Sequence, residues 1–314
     1  MEFFVEEPYR ILSENMNAGY VNRLADCVRK VMARNDSEGI IITHGTDTLQ
    51  YTAALLSYVF GTDCVPVLLV SSDFPLEDAR ANGMANFMRA VEFIKCREGR
   101  GVFVSYRNDR NEEADIYRGT RLLMHQPYSA RLYPLDGVSF HGKVCYNREA
   151  SMDRMERPDG QELRLTEDAG NILWIRPCVG MTYPQAGPQV RAVLHDSYHS
   201  GTIAVNAGLE EFAGRMEQAG IPVYLTGASS GEAEYETVRM YEQYGIRVLP
   251  KMSLIAAYCK LWLALSNDLD VNSIMNTCIA EDIIQEQRGV IRTDEQSRSC
   301  LLYTSDAADD LIGV

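Results

Sequence analysis

Short apolar runs alternate with helical patterns along the first 106 residues of the chain. The apolar runs are Ile40-Ile41-Ile42, V-P-V-L-L-V (65–70) and G-V-F-V-S-Y (101–106). Apolar residues recur at helical spacing in three stretches, 21–31, 48–60 and 76–94. Because the runs lack the polar alternation of a half-exposed strand, they predict strands covered on both faces, as in a parallel sheet with crossover helices.

A polar region separates this pattern from a second one. Residues 107–170 are rich in Arg, Asp, Glu and Tyr, and we predict a hairpin around 115–136 and an exposed connection over 141–170. Regular alternation then resumes. The predicted strands are 171–177, 191–196, 221–227 and 246–250, and the predicted helices are 207–219, 234–244, 252–265 and 270–287.

The two patterns together predict an α/β protein. It has a parallel-sheet N-terminal domain (1–140), a linker (141–170) and a smaller α/β C-terminal domain (171–296). The final stretch, C-L-L-Y-T-S-D-A-A-D-D-L-I-G-V, continues neither pattern and resembles translated adapter sequence. We therefore expect residues 297–314 to be a non-native tail.

Charge and cysteine usage narrow the classes of partner. The net charge is −14, which argues against nucleic acid or an anionic membrane surface, because both select clustered Lys and Arg. No apolar run reaches the roughly 20 residues of a membrane span. The eight cysteines are scattered, without C-x-x-C or zinc-like spacing to the five histidines. This usage predicts free thiols in a reducing cytoplasm and no metal site.

The turn Thr43-His44-Gly45-Thr46-Asp47-Thr48 is the candidate for chemistry. It follows a predicted strand directly, and ligands bind at the carboxyl ends of strands in open parallel sheets. A carboxylate beside a hydroxyl can hold an ammonium group, and the hydroxyl can act as a nucleophile when a base is near. Asp and Thr are also good helix N-caps, so the residue types leave both roles open. We interpret His44 as a structural hydrogen bonder.

This turn and its surroundings resemble the bacterial-type L-asparaginase family. H-G-T-D-T followed by x-x-Y-T-A resembles the second signature of that family, and the match continues in the right order over about residues 5–290. I-L-S-E-N-M (11–16) resembles the segment that binds the α-carboxylate and α-amino groups of the substrate. D-I-Y-R-G-T-R-L-L-M (115–124) resembles the strand and loop that carry the catalytic lysine.

The resemblance implies an amidohydrolase that converts L-asparagine to L-aspartate and ammonia without a cofactor. Thr46 and Asp47 match the first two members of a family Thr–Asp–Lys triad, and Ser13 matches the residue that grips the α-carboxylate. Glu14 stands where the family usually has Gln, and it would bind the α-ammonium group together with Asp47. By the same resemblance we expect a cytoplasmic homodimer or homotetramer, with asparagine or glutamine as its small-molecule substrate.

Two departures from the family bear on activity. The pattern R-G-x-R-x-x-K ends here in Met124, whose thioether has no titratable proton and cannot serve as a base. Arg118 and Arg121 are close in sequence and could anchor Asp47, but a guanidinium stays protonated and cannot shuttle a proton. The T-G-G-T strand that opens the family fold does not occur in the sequence, so we expect an inactive fragment that starts after that strand.

Two alternatives keep the fold and change the function. The first is the asparaginase-like subunit of a tRNA-dependent amidotransferase, which shares the signatures, carries an extra N-terminal domain and works with a partner. The second is an amino-acid binder that does not hydrolyse its ligand, which Met124 and the lack of T-G-G-T would suit.

Overall fold

Two four-stranded sheets, one in each half of the chain, organise the fold. The computed structural model describes residues 2–109, 112–135, 152–167, 171–228 and 236–284. The strands of the described residues are β1 (Ile40–Thr43), β2 (Val67–Val70), β3 (Val102–Tyr106), β4 (Asp115–Arg118), β5 (Ile172–Ile175), β6 (Ala192–His195), β7 (Val223–Leu225) and β8 (Ile246–Val248). Their helices are α1 (Ala18–Arg34), α2 (Leu49–Phe60), α3 (Gly83–Lys95), α4 (Ala207–Gln218), α5 (Glu236–Gln243), α6 (Leu254–Ser266) and α7 (Val271–Asn276).

The first sheet has the order β1-β2-β3-β4. Strands β1, β2 and β3 are parallel, as their continuous apolar runs predict, whereas β4 pairs antiparallel with β3. The connection from Tyr106 to Asp115 is too short for a parallel crossover, which needs about a dozen residues or more, so the chain turns back on itself. The predicted hairpin over 115–136 continues beyond β4 as an antiparallel bridge between Leu122 and Pro134.

The second sheet has the order β5-β6-β7-β8, and all its strands are parallel. Helix α4 forms the crossover from β6 to β7, and α5 forms the crossover from β7 to β8. Each strand is shorter than the apolar run that predicted it, but none is missing. The predicted α/β class, with parallel strands in both halves, is confirmed.

Helix α3 is shorter than its apolar spacing indicates. The prediction over 76–94 is wrong for about its first two turns, because α3 begins at Gly83. Asp73 and Asn82 exchange two hydrogen bonds, in which each backbone N–H donates to the side-chain oxygen of the other residue at 2.9–3.0 Å. These bonds close a loop over the residues that the pattern assigns to the helix.

Helix α7 also ends early. The helix predicted over 270–287 stops at Asn276, and residues 277–284 form an irregular segment that we call the clasp. Ala280 and Glu281 of the clasp have φ values of +50° and +58°, in the left-handed region that non-glycine residues adopt at some cost. The clasp packs back on the first half of the chain, which is a tertiary contact that local periodicity does not report.

Helices α2 and α6 bring the two halves of the chain together. Their residues contribute to the same apolar core, and the Tyr58 hydroxyl of α2 donates to the Ala256 carbonyl of α6 at 3.2 Å. The described part of the connection, 152–167, is less exposed than predicted, since Leu163 and Leu165 are buried.

The boundaries of the predicted domains stay a prediction. Met1–Ile284 form one compact unit, which includes both sheets. The predicted tail over 297–314 lies outside the described residues. Within the part of the chain that the structure describes, every helix falls short of the length and apolar character that a membrane crossing requires.

Candidate functional site

The turn 43–48 lies at the carboxyl edge of the first sheet. Thr43 ends β1 opposite Val70, and the N–H of His44 donates to the Val70 carbonyl at 2.8 Å. Helix α2 starts at Leu49, directly after the turn. The turn therefore joins the carboxyl end of a parallel strand to a helix N-terminus, which is the usual ligand-binding location in such sheets.

Ser13 and Asp47, which the sequence predicted to share a site, are in contact. The Ser13 hydroxyl donates to Asp47 Oδ2 at 3.1 Å, and the Thr48 hydroxyl donates to the Ser13 carbonyl at 2.9 Å. A β-carbon on Gly45 would lie 2.5 Å from both Cβ and Oγ of Ser13. Only glycine at this position allows the two segments to come so close.

The turn does not cap helix α2 through the Thr48 side chain. Thr48 is the N-cap of α2, yet its side chain makes no capping hydrogen bond, because its hydroxyl is directed to Ser13. Asp47 receives the Ser13 hydroxyl and keeps an exposed carboxylate. A turn whose hydroxyl and carboxylate bind a neighbouring segment, and not the helix, is available to bind a small charged ligand.

Two other predicted residues flank this contact. Thr46 is half-buried in the turn, and its carbonyl accepts a weak hydrogen bond from Leu49 N–H at 3.4 Å. Glu14 follows Ser13 in a short 3₁₀ turn, Ser13–Asn15, where its side chain is exposed. Two carboxylates therefore lie on the two segments that meet here, an arrangement that favours a cationic group such as an ammonium.

The His44 side chain connects the turn to the first helical turn of α2. Its Nδ1 is 2.7 Å from the Gly45 carbonyl and must donate, so its Nε2 accepts from the Thr52 hydroxyl at 2.9 Å. Burial lowers the pKa of His44, which keeps the ring neutral at neutral pH. Both ring nitrogens are used within the protein, in keeping with a structural role.

Met124 lies beside a cation from the second half of the chain. It is half-buried and packs, with Met16 and Tyr51, on the apolar core that α2 and α6 share. Its Sδ is 3.9 Å from Nη1 of Arg176, which follows β5. No hydrogen bond joins Met124 to Thr46 or Asp47 among the described residues, so the structure links only Ser13 and Asp47 directly.

The expectation that Arg118 or Arg121 anchors Asp47 is wrong. Arg118 is buried, forms an ion pair with Glu281 at 2.8 Å and stacks over the Phe103 ring at 4.3 Å. Nε of Arg121 donates to the Glu281 carbonyl at 2.9 Å. Both guanidinium groups thus hold the clasp. The sequence places both arginines near the site motif and does not indicate that their partner is Glu281, about 160 residues later in the chain.

Arg176 is the residue that the sequence analysis missed. Its guanidinium lies near the Asp196 carboxylate (3.8 Å) as well as Met124, and it is near enough to Tyr51 to oppose the rise in pKa that burial causes there, to about 12. It follows the first strand of the second parallel sheet. The same strand-end rule that selected Asp47 would have selected it.

The described residues hold no cluster of three His, Cys, Asp or Glu side chains suited to a metal ion.

A groove of about 500 Å³ lies at the other end of α2, where Phe60, Cys64 and Asp153 line it. The Asp153 carboxylate accepts the backbone N–H of Thr62 at 2.6 Å, which indicates a loop cap. Because the groove is at the C-terminal end of α2, it lies apart from the turn, which precedes the N-terminus of that helix.

Comparison with known proteins agrees with this architecture. Residues 1–131 match the family model described as "Asparaginase, N-terminal". A glutamyl-tRNA(Gln) amidotransferase subunit from Metallosphaera sedula is 26% identical over 291 residues, which cover 85% of this chain and 63% of that protein. The corresponding amidotransferase subunit from Methanococcus maripaludis is 38% identical over 213 residues, which cover 63% of this chain and 47% of that protein. The chain thus spans less than two thirds of the length of these relatives.

Solved structures share the fold. L-asparaginase I from Vibrio cholerae superposes with a TM-score of 0.67 at 21% identity, over 88% of this chain and 84% of that chain. The thermostable L-asparaginase from Thermococcus kodakarensis gives a TM-score of 0.66 at 22% identity, with the same coverage. At these identities the similarity shows an asparaginase-type fold and nothing finer.

Proposed function

We propose that the chain is an amidohydrolase-type subunit of an amidotransferase, on the premise that residues 1–131 match the N-terminal asparaginase family model. In this role it takes L-glutamine or L-asparagine and supplies ammonia to a partner. The observation that carries the proposal is the Ser13–Asp47 hydrogen bond at the carboxyl end of β1. It supports a site for the α-amino and α-carboxylate groups of an amino acid.

Each side chain of the site has a role in this proposal. The Ser13 hydroxyl and the N-terminus of α2 bind the α-carboxylate, because both offer hydrogen-bond donors to an anion. Asp47 and Glu14 bind the α-ammonium group by charge. Thr46 faces the amide, where its hydroxyl is the nucleophile or the group that positions water. Met124 contributes no proton transfer, so any hydrolysis proceeds without a lysine at that position.

The amidotransferase role is better supported than that of a free-standing L-asparaginase. The curated amidotransferase subunits are more similar in sequence to this chain than the solved asparaginases are. A net charge of −14 makes the chain a poor ligand for RNA, so we assign tRNA contact to the partner. We place both proteins in the cytoplasm, in keeping with the six described cysteines, which are free thiols.

A second candidate is a binder that does not hydrolyse the amide. The observation that favours it is Met124 in place of a titratable side chain, next to the fixed charge of Arg176. Such a protein would hold glutamine or asparagine with the same Ser13 and Asp47 contacts. The two candidates differ in turnover and not in binding.

The first test is binding and ammonia release by the full chain with L-glutamine and L-asparagine. We expect binding by calorimetry, and a loss of about 10- to 100-fold in affinity for Asp47→Asn, the size of a charge-assisted hydrogen bond. Asp36→Asn is the matched control, since Asp36 is an exposed carboxylate that also accepts a serine hydroxyl, from Ser37 at 3.2 Å. It should bind like the parent protein.

The outcomes separate the candidates. Binding with ammonia release, alone or with the partner subunit, supports the amidotransferase role, and binding without release under both conditions supports the binder. If neither amino acid binds, or if Asp47→Asn binds as tightly as Asp36→Asn, the site is not where we place it.

A further inference from the structure

One serine hydroxyl near the turn is buried and unused. Ser71 directly follows β2, is 5% exposed, and its Oγ has no hydrogen-bond partner among the described residues. A hydroxyl that loses water without gaining a partner destabilises the folded state, so buried polar groups are nearly always paired. An exception beside a candidate site therefore needs a ligand, or an ordered water, to explain it.

The position of Ser71 is fixed next to the site turn. The carbonyl of Val70, the preceding residue, accepts the N–H of His44 at 2.8 Å. The carbonyl of Ser71 itself accepts from Asn86 Nδ2 at 2.8 Å. The backbone on both sides is thus held at the carboxyl edge of β1 and β2, level with the start of the turn, while the hydroxyl is left over.

A serine on the adjacent strand shows the contrast. Ser105 of β3 pairs in register with Val70, and it is also fully buried. Its hydroxyl donates to the Asn86 carbonyl at 2.8 Å, so it is satisfied within the protein. Ser71, which follows β2, and Ser105 of β3 are thus both buried, one with an unused hydroxyl and one with a satisfied hydroxyl, which makes them a useful pair for an experiment.

A second buried polar atom of the same kind lies in the helix that follows the turn. Gln50, in the first coil of α2, donates from Nε2 to the Asp47 carbonyl at 3.3 Å. Its Oε1 is buried without a partner in the described part of the chain. The two unused atoms are a hydroxyl, which can donate, and an amide oxygen, which accepts. A primary carboxamide offers the complementary pair, a C=O acceptor and an NH₂ donor.

We propose that Ser71 is a further binding residue, whose hydroxyl donates to the side-chain carboxamide oxygen of bound glutamine or asparagine, with Gln50 Oε1 accepting from the carboxamide NH₂. The proposal rests on the function proposed above and extends it from the amino-acid end of the ligand to the amide end. It also gives selectivity for the amide over the acid, since a carboxylate at that place would face the Gln50 oxygen with no proton to share.

The test is ligand-induced thermal stabilisation of the full chain by L-glutamine and L-asparagine, with Ser71→Ala and Ser105→Ala as a matched pair. Ser71→Ala should leave the melting temperature without ligand unchanged or raised, because it removes an unsatisfied group. It should weaken binding about three- to tenfold, as expected for one uncharged hydrogen bond. Ser105→Ala should lower the melting temperature and leave the affinity unchanged.

Ser71→Cys, which keeps the size and weakens the donor, should fall between Ser71→Ala and the parent protein in affinity. Equal affinity of Ser71→Ala and the parent protein overturns the inference and assigns the hydroxyl to a bound water. A fall in melting temperature of Ser71→Ala as large as that of Ser105→Ala overturns it too, since the hydroxyl is then structural. If the parent protein binds neither amino acid, the proposed function fails and this inference fails with it.

Discussion

At the scale of single residues, Gly45 determines how closely the Ser13 segment approaches Asp47. The backbone of Gly45 does not adopt a left-handed φ. Gly45 matters because it places no side chain opposite Ser13. The sequence motif identified this glycine as part of a tight turn, but the identity of the group facing it depends on a segment more than 30 residues away. Such a contact cannot be read from local spacing.

Gly45→Ala should separate the two segments. A β-carbon 2.5 Å from Ser13 Cβ and Oγ forces the 3₁₀ turn away and breaks the Ser13–Asp47 hydrogen bond. We expect affinity for L-glutamine to fall at least tenfold by calorimetry. Gly214→Ala is the control, because Gly214 lies inside α4 with open space around it, and alanine there should stabilise by about 0.5–1 kcal/mol. Unchanged affinity of Gly45→Ala would contradict the site.

Met124→Lys should increase ammonia release. The new amine would lie near the Arg176 guanidinium, 3.9 Å from the present Sδ, and this like charge would depress its pKa toward neutrality, where a lysine can act as a base. We expect a gain of at least tenfold that grows with pH between about 6 and 9, in a coupled ammonia assay.

Met124→Gln and the double variant Met124→Lys with Arg176→Met are the controls for that gain. Met124→Gln should give no gain, and the double variant should lose most of its gain at neutral pH. An equal rate for the parent protein and Met124→Lys across this range would mean that position 124 lies outside the reacting geometry.

At the scale of elements, periodicity predicted which segments form strands and helices but not where α3 begins and α7 ends. The two errors have different causes. Apolar spacing continues past the end of α7 because Ile279 and Ala280 of the clasp are buried by tertiary contacts, whereas before α3 the apolar Leu76 is 65% exposed and lies in a loop that the Asp73–Asn82 hydrogen bonds close. The side chains that set each boundary, Asn82 and the partners of the clasp, act through hydrogen bonds that hydrophobicity does not encode.

Glu281→Gln should destabilise the protein strongly, because it removes the negative charge that faces the buried Arg118 at 2.8 Å. Breaking one side of a buried ion pair costs about 3–5 kcal/mol. Glu92→Gln is the control, since Glu92 also faces an arginine, Arg89 at 3.7 Å, but is 64% exposed, and its loss should change stability by about 0.5 kcal/mol or less. Urea unfolding measures both. Equal effects would mean that the clasp adds little to stability.

At the scale of the whole molecule, the α/β class and the two sheets were predictable, because continuous apolar runs separated by helical patterns have few other solutions. The direction of β4 followed from loop length, a constraint that the apolar pattern does not contain. The way the two halves share a core was not predictable, since α2 and α6 are apolar on most faces and no periodicity selects a partner.

Stability should fall as pH decreases from about 7 to 5. Burial lowers the pKa of His44 and of His195, which lies in β6 with its Nε2 3.2 Å from the Tyr183 hydroxyl. Their pKa values in the folded state are thus below the unfolded value of about 6.5. Below that pH the unfolded chain binds protons first, so the stabilisation present above it is progressively lost.

Urea unfolding across this pH range tests the point. His195→Gln should reduce the slope of unfolding free energy against pH, whereas His199→Gln, at an exposed position, should leave it unchanged. A parent protein whose stability is flat from pH 7 to 5 would contradict the assignment.

The clasp has a consequence for the order of events during synthesis. Its Asp282 carboxylate binds Lys260 at 2.7 Å and the Tyr58 hydroxyl at 2.8 Å, and its Ala280 carbonyl accepts from the Thr120 hydroxyl at 3.0 Å. Tyr58 and Asp282 are 224 residues apart in the chain. At translation rates of about 5–20 residues per second, Tyr58 waits roughly 11 to 45 seconds for Asp282 to be made. A nascent chain stalled before the clasp would therefore contain all the strands of the first sheet and the Ser13 and Asp47 side chains, but not the clasp contacts. Chaperones could still recognise such an incompletely folded chain.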